Sequence, residues 1–226
     1  MHLALFDLDN TLLPLDSDHA WSEFLGRRGV IDSEQHNARN DEFYRQYQAG
    51  TLNIEEFLEF QLKPLAENPR EQLDAWHREY MAECIAPHIQ PSARALLNKH
   101  FERGDLIAIV TATNEFVTRP IASAFDVEHL LAIELELRDG AYTGRHTGTP
   151  SFREGKVTRL HQWLASRNQR LQDFEESWFY SDSINDLPLL EVVTNPVAVN
   201  PDERLTAIAA ERQWPIMQLF EKSDDS

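Results

Sequence analysis

Leu3-Ala4-Leu5-Phe6-Asp7-Leu8-Asp9-Asn10-Thr11 is the stretch that decides how this chain is read. Its opening residues are apolar without alternation, as in a strand buried on both faces, and it ends in acids and turn formers. Three other runs repeat the pattern. They are Leu106-Ile107-Ala108-Ile109-Val110 into Thr111, Ser177-Trp178-Phe179-Tyr180-Ser181 into Asp182, and Pro196-Val197-Ala198-Val199. Helical patterns follow each of them. Pro91 and Ser92 open one that runs to about Arg103. Ser151 and Glu154 stand at capping-box spacing before another, reaching about Ser166. Asn200-Pro201-Asp202-Glu203 offers a cap, a proline at the first helical position and an acidic first turn. Pro120 leaves two readings after Thr111: one turn from Asn114 and a fresh helix, or a single kinked helix.

Between the first two strands the texture changes. Ser33 to Ala49, Asn53 to about Leu62 and Pro69 to about Ile85 read as helices, with no strand-like run among them. Asn53 with Glu56, and Asn68 before Pro69, supply start signals. Ala132–Leu137 and Ala141–Thr147 flank Asp139-Gly140, a hairpin turn signal. The expected fold class is therefore α/β: a Rossmann-like, mostly parallel three-layer sandwich with a helical cap inserted after the first strand. The expected core is residues 1–15 and 89–226, and the expected cap is 16–88.

Composition narrows the function. The chain has 226 residues, with 21 Lys and Arg against 38 Asp and Glu, a formal net charge of −17. Residues 16–88 alone hold 15 acids and 7 bases. Nucleic-acid and anionic-membrane partners are not expected, because both need clustered positive charge. The lone Cys84 excludes a disulfide framework or a Cys-rich zinc site. No run approaches the eighteen apolar residues of a membrane span, and the N-terminal run is too short for a signal peptide, so a cytoplasmic location is expected. Glu221 to Ser226 reads as a solvated tail.

In an open parallel sheet, ligands bind beyond the carboxyl ends of the strands. The runs place Asp7 and Asp9, Thr111, and Asp182, Asn185 and Asp186 there. Lys156 falls in the first turn of a helix, where a cation is unfavourable unless an anion waits beside it. With 16 Asp in the chain, a bare Asp-x-Asp is expected about once by chance. Four elements in order, each at a strand end or first helical turn, discriminate far better.

The set Asp7-x-Asp9-x-Thr11, Thr111, Lys156 and Asp182-x-x-Asn185-Asp186 resembles the four signature motifs of the haloacid dehalogenase (HAD) superfamily of phosphatases. The helical insertion resembles that of the phosphoserine-phosphatase-like branch. Thr111-Ala112-Thr113-Asn114 and Ser181-Asp182-Ser183-Ile184-Asn185-Asp186 depart from the phosphoserine-phosphatase pattern and are more similar to HAD-type histidinol-phosphate phosphatases. The resemblance implies hydrolysis of a small phosphomonoester. Asp7 would be the nucleophile, forming an aspartyl-phosphate, and Asp9 the general acid and base. Asp7 and Asp182 would hold Mg²⁺, the backbone carbonyl of Asp9 being the third ligand that the family pattern implies. Thr111, Lys156 and Asn185 would lie against the phosphate. Asp186, with Asn185, would orient the metal site and Lys156.

The substrate's other end would meet the cap. Asp16 and Asp18 would favour an ammonium or imidazolium group if they face the site, although an acidic helix start reads the same way. Trp21, Phe24, Phe43, Tyr44 and Tyr47 fit either a ring pocket or cap core. Histidinol phosphate is the favoured substrate, and phosphoserine, which wants an Arg for its carboxylate, is the alternative. A non-catalytic phosphorylatable or metal-binding regulatory domain is the reading of a different class. Against it stand the second acid, Asp9, and the helical insertion.

Overall fold

The computed structural model describes residues 1–220; the tail expected at Glu221–Ser226 lies outside the described residues. Strand β1 (His2–Phe6) is followed by helices α1 (Ser17–Arg27), α2 (Ser33–Ala49), α3 (Ile54–Glu67), α4 (Arg70–Tyr80) and α5 (Pro91–Arg103). Then come β2 (Leu106–Asn114), α6 (Glu115–Ala124), β3 (His129–Arg138), β4 (Ala141–Thr147), α7 (Glu154–Ser166) and β5 (Glu176–Ser181). The short α8 (Leu187–Leu190), β6 (Asn195–Val199), α9 (Glu203–Arg212) and β7 (Ile216–Met217) complete the described chain.

The strands form one sheet in the order β4-β3-β2-β1-β5-β6-β7. All neighbours run parallel except β3 and β4. In β1, Ala4 and Phe6 face one apolar layer while Leu3 and Leu5 face the other. That alternation makes the sheet the middle of three layers. Every residue from Leu3 to Phe6 is fully buried, which is why the sequence shows an unbroken apolar run rather than an alternating one. The chain leaves β1 for β2 and β3 on one side and returns to β5 and β6 on the other. The carboxyl end of β1 is therefore the switch point of the sheet, the place where such folds bind ligands.

The helical segment 17–88 shares the core of the sheet. Trp21, Phe24 and Leu25 of α1, Leu58, Leu62 and Leu65 of α3, and Leu73 and Tyr80 of α4 join Phe6 and Ile109 in one apolar cluster. Trp21 packs edge-on against Tyr80, ring centroids 5.2 Å apart, and against Phe116 of α6. Helix α3 lies on β4. There Gly144 has φ +78°, and a Cβ on it would come 3.0 Å from that of Ala66, so the close approach requires glycine. Asp139 and Gly140 both adopt positive φ, as the expected β3–β4 hairpin turn demands.

Three start signals act differently from their sequence reading. Ser151 donates its hydroxyl to the Leu131 carbonyl, and α7 begins at Glu154 behind Arg153. Asn68 donates to the Pro64 carbonyl and so closes α3 instead of opening α4. Asp202, not Asn200, caps α9 by accepting from the Leu205 N–H. Pro120 sits inside the single helix α6. Helix α3 runs through Pro64 to Glu67, beyond its expected end. Past Tyr80, the chain tightens from a π turn at Met81–Ile85 into a 3₁₀ turn at Ala86–His88.

Tyr80 ties this packing to the end of β1. It is fully buried, and its hydroxyl donates to the Ser17 carbonyl at 2.7 Å. Tyr80→Phe is expected to cost about 0.5–1.5 kcal/mol, because it removes one buried hydrogen bond to a carbonyl that the helix still pairs. A drop of a few degrees in Tm by calorimetry would show it, and an unchanged Tm would contradict it.

Candidate active site

Past Phe6 the chain turns sharply. Asn10 takes φ 57°, in the left-handed region that asparagine tolerates, and Asp7 and Asp9 both reach the same cavity. Asp7 lies between two partners: Lys156 Nζ donates to Oδ1 at 2.8 Å, and the Thr11 hydroxyl approaches Oδ2 at 3.2 Å. Lys156, the third residue of α7, also donates to Asp186 Oδ2 at 2.7 Å, and Ser181 donates to that same oxygen at 2.7 Å. Lys156 is 2% exposed. Burial alone would lower its pKa, yet Asp186 and Asp7 raise it above the ordinary lysine value, so the ammonium stays charged.

The carboxylates are pushed the other way. Burial raises Asp7 to about 6, with Lys156 opposing and Asp186 adding to the rise. Burial raises Asp9 to about 7, and the charges of Asp16 and Asp7 add to it. Asp9 is fixed on both sides: Oδ1 accepts from the Ser17 N–H at 2.8 Å and Oδ2 from the Thr113 hydroxyl at 2.9 Å. A carboxyl that titrates near neutrality and is rigidly aimed suits proton transfer. Asp182 is also raised, by burial first and then by Asp7 and Asp186.

Thr11 stands between Asp7 and Asp182. Its hydroxyl is 3.2 Å from one carboxylate and 3.3 Å from the other, and it accepts from the Asp182 N–H at 3.1 Å. One hydroxyl proton cannot satisfy both acids. Thr111 accepts from the Thr113 N–H at 3.1 Å, which leaves its own proton free for a ligand. Asn185 lines the cavity too, but its amide is already engaged. Its Oδ1 takes two N–H groups of Arg153 at 3.0 Å each, and its Nδ2 donates to the Tyr47 carbonyl at 3.2 Å.

The cavity holds about 480 Å³ and is walled on one side by strand ends and on the other by α1, α2 and α3. Asp16 and Asp18 both line it. Asp16 caps α1 by accepting from the N–H groups of Asp18 and His19. Asp18 is buried, and its pKa is raised by burial, then by Asp16 and Asp9. Asp41 and Asp202 add two more acids, so among the described residues eight aspartates face the cavity against one lysine and no arginine. Of the five aromatic residues, Phe43, Tyr44 and Tyr47 line it, while Trp21 and Phe24 belong to the core.

Sequence reasoning gave no part to Thr113, Arg153 or Asn40. Thr113 had a signal: it follows Thr111 by two on a strand, hence on the same face. Arg153 had none. It adopts φ 50°, ψ −121° just before α7, a strained conformation for a residue with a side chain, and it places Lys156.

A family model described as haloacid dehalogenase-like hydrolase matches residues 4–191. The chain belongs to this family. It is 49% identical over 217 residues to a protein of Neisseria meningitidis serogroup C (strain 8013) named histidinol-phosphatase, covering 96% of this chain and 98% of that one. A crystal structure of a protein of unknown function from Bordetella pertussis Tohama I superposes with a TM-score of 0.92. It shares 53% identity and covers 97% of this chain and 99% of its own. A phosphoserine phosphatase solved as a phospho-aspartyl intermediate analogue shares the fold at a TM-score of 0.66 and 19% identity, with coverage of 97% and 93%.

The acids of the cavity have a measurable cost. Asp18 ionises near 3.8 in the unfolded chain and at a higher pH in the fold. Between those values the folded state holds the proton that the unfolded state has lost, so stability falls as pH rises through the window. Asp18→Asn removes that loss. The metal-free variant is expected to melt above wild type at pH 8 and close to it at pH 4. Equal shifts at both pH values would show that Asp18 is not ionised against its surroundings.

Proposed function

We propose that the chain is a Mg²⁺-dependent phosphomonoesterase that acts on a small cationic amino-alcohol phosphate, with histidinol phosphate the favoured substrate. The observation that carries this reading is the cavity itself. A lysine-braced nucleophile and an enclosed acid of pKa about 7 lie at one end, and unmatched acids line the other.

Asp7 would attack phosphorus in line, forming an aspartyl oxygen–phosphorus bond as the bond to the leaving oxygen breaks. Asp9, protonated at the start, would give its proton to that oxygen, so a neutral alcohol departs. It would then take a proton from the water that splits the aspartyl-phosphate, releasing inorganic phosphate and restoring Asp7. Lys156 would shift from bracing Asp7 to neutralising the phosphate oxygens, and Thr111 would donate its free hydroxyl to them.

The donor set fits Mg²⁺. Asp7 and Asp182 share one hydroxyl and, among the described residues, have only Lys156 nearby as a cation, and all the groups concerned are oxygens, which suits a hard cation. Among the described residues no three His, Cys, Asp or Glu side chains gather into a cage. Magnesium needs only one or two protein carboxylates beside backbone, substrate and water oxygens. Asp7, Asp182 and the Asp9 carbonyl would hold it, and when bound it would supply charge neutralisation as the anionic substrate approaches.

Residues 16–88 would form the lid that shields this chemistry from water. Its α2 end is pinned over the site. Tyr47 bonds through its hydroxyl to Ser183 at 2.7 Å, and Arg204 donates to the Gln48 carbonyl at 2.8 Å. The side chain of Asn185, proposed from sequence to touch phosphate, serves this lid contact in the structure. Phosphoserine is the lesser reading. Its carboxylate would meet acids, and Arg39, an arginine of the insertion, pairs with Glu42 and Glu56. A regulatory domain that turns nothing over would have no use for Asp9.

Phosphate release from histidinol phosphate is expected to exceed that from phosphoserine by at least about tenfold in kcat/KM, since a buried unpaired charge is costly. It should vanish with EDTA and return with Mg²⁺. Asp7→Asn should lower kcat by about 10³-fold or more. Substantial turnover by that variant would refute the nucleophile. A preference for phosphoserine would refute the substrate alone.

A further inference from the structure

Arg153 takes no part in the steps of phosphate transfer, yet its backbone is held at φ 50° and ψ −121°. A residue with a side chain adopts that conformation at a cost, and glycine would not. A fold that keeps arginine there has a use for the guanidinium.

The guanidinium reaches the end of α2 through Asn185. Its Nε and Nη2 both donate to Asn185 Oδ1 at 3.0 Å. A guanidinium can only donate and a carbonyl can only accept. The buried Asn185 amide therefore has one orientation, its oxygen towards Arg153 and its nitrogen donating to the Tyr47 carbonyl at 3.2 Å. Tyr47 stands in the last turn of α2. Gly50 closes that helix at φ 73°, and a Cβ on it would come 2.9 Å from Arg153 Nη2. The helix end thus packs directly on the guanidinium. Phe152 lies against both, 5.1 Å from the Arg153 guanidinium carbon and 6.1 Å from the Tyr47 ring.

Charge favours the same contact. A helix C-terminus carries partial negative charge, and the last turn of α2, Gln46-Tyr47-Gln48-Ala49, has no basic residue of its own. Arg153 and Arg204 come to it from the other side of the cavity, Arg204 donating to the Gln48 carbonyl at 2.8 Å. The helix they hold presents Asp41, Phe43, Tyr44 and Tyr47 to the cavity.

We infer that Arg153 is a positioning residue: through Asn185 and the carboxyl end of α2, it holds the cavity wall formed by that helix against the leaving group. Its effect on turnover rests on the phosphatase reading above, and its effect on α2 does not. Arg153 lies outside the residues that line the cavity, so it acts through α2 and not on phosphate. Where α2 is docked for only a fraction of the time, apparent affinity falls by that fraction, while saturating substrate restores docking. Loss of the guanidinium therefore falls on KM more than on kcat.

The test uses the full chain as wild type, Arg153→Ala, Arg153→Gly and Arg153→Lys. Three quantities are measured: Tm, hydrogen exchange of the Gly50 and Thr51 amides by NMR, and steady-state kinetics on histidinol phosphate. Those two amides donate to the Tyr47 and Gln46 carbonyls at the helix end. Arg153→Ala keeps the strained backbone and Arg153→Gly relieves it, so the glycine variant should melt above the alanine variant. Both lack the guanidinium, and in both the two amides are expected to exchange about tenfold faster and KM to rise about tenfold, with kcat changed less. Arg153→Lys keeps the cation and one donor and should recover most of both. A merely structural role would tie exchange and KM to Tm, so that Arg153→Gly would regain what Arg153→Ala loses. That recovery, with exchange and KM in Arg153→Gly within about twofold of wild type, overturns the inference. If Arg153→Ala does not fold, Arg153→Gly decides. A wild-type chain that releases no phosphate from histidinol phosphate overturns the substrate reading instead, and exchange at Gly50 and Thr51 still decides the part played by Arg153.

Discussion

The ammonium of Lys156, buried between Asp7 and Asp186, is the interaction on which the arrangement at the switch point depends. Removing one partner of such a buried pair costs about 3–5 kcal/mol, because the other charge is left without compensation. The requirement reaches outward through the fold. Asp7 must follow the central strand and Asp186 must follow its neighbour β5, which the register Phe6 to Tyr180 secures. Helix α7 must begin within one turn of Lys156, and the strained backbone of Arg153 begins it there. Lysine in a first helical turn is electrostatically misplaced unless anions wait beside it, and here two do.

Sequence and structure agree best where burial dictates residue type. Strands β1, β2, β5 and β6 were legible because a parallel sheet covered on both faces needs continuous apolar runs. The two-residue β7 carries too little pattern to be read. Helix existence was legible, but helix starts were not always. Ser151, Asn68 and Asn200 all have the chemistry of a cap, and a short polar side chain serves equally as a cap, a turn or a tertiary hydrogen bond. Ser151 is spent on the Leu131 carbonyl in the next layer. That competition is decided by tertiary contacts, which no local window contains.

The site divides along the same line. Asp7, Asp9, Lys156, Asp182 and Asp186 were legible since each stands at a strand end or first helical turn and the topology gathers such positions. Asn185 was legible in place but not in use, because the direction of an amide depends on Arg153 and on Tyr47, 138 residues away. The face of α2 over the cavity was least legible. Asn40, Phe43, Tyr44 and Tyr47 lie on one helix, and periodicity shows only that some of them face inward. Whether inward means core or cavity depends on where α2 meets the strand ends.

Charge balance then explains why an acidic helical insertion would suit the proposed chemistry. Around Asp7, one lysine serves Asp7 and Asp186, while among the described residues Asp9 and Asp182 have no ion-pair partner. Desolvation raises their pKa values, which costs stability at neutral pH and makes Asp9 able to hold a proton there. A divalent ion and a phosphate bound together would nearly cancel one another, so on the proposed reading they would leave the acids of residues 16–88 as they found them. On that reading, Asp16, Asp18 and Asp41, which line the cavity, would be answered by a positive or hydrogen-donating leaving group. Once the alcohol and phosphate separate, that group would, on the same reading, be held by residues 16–88 alone, without its bond to the phosphate at Lys156. The acids proposed to select the leaving group would thus lose the help of the phosphate bond at cleavage, which would favour release of the alcohol.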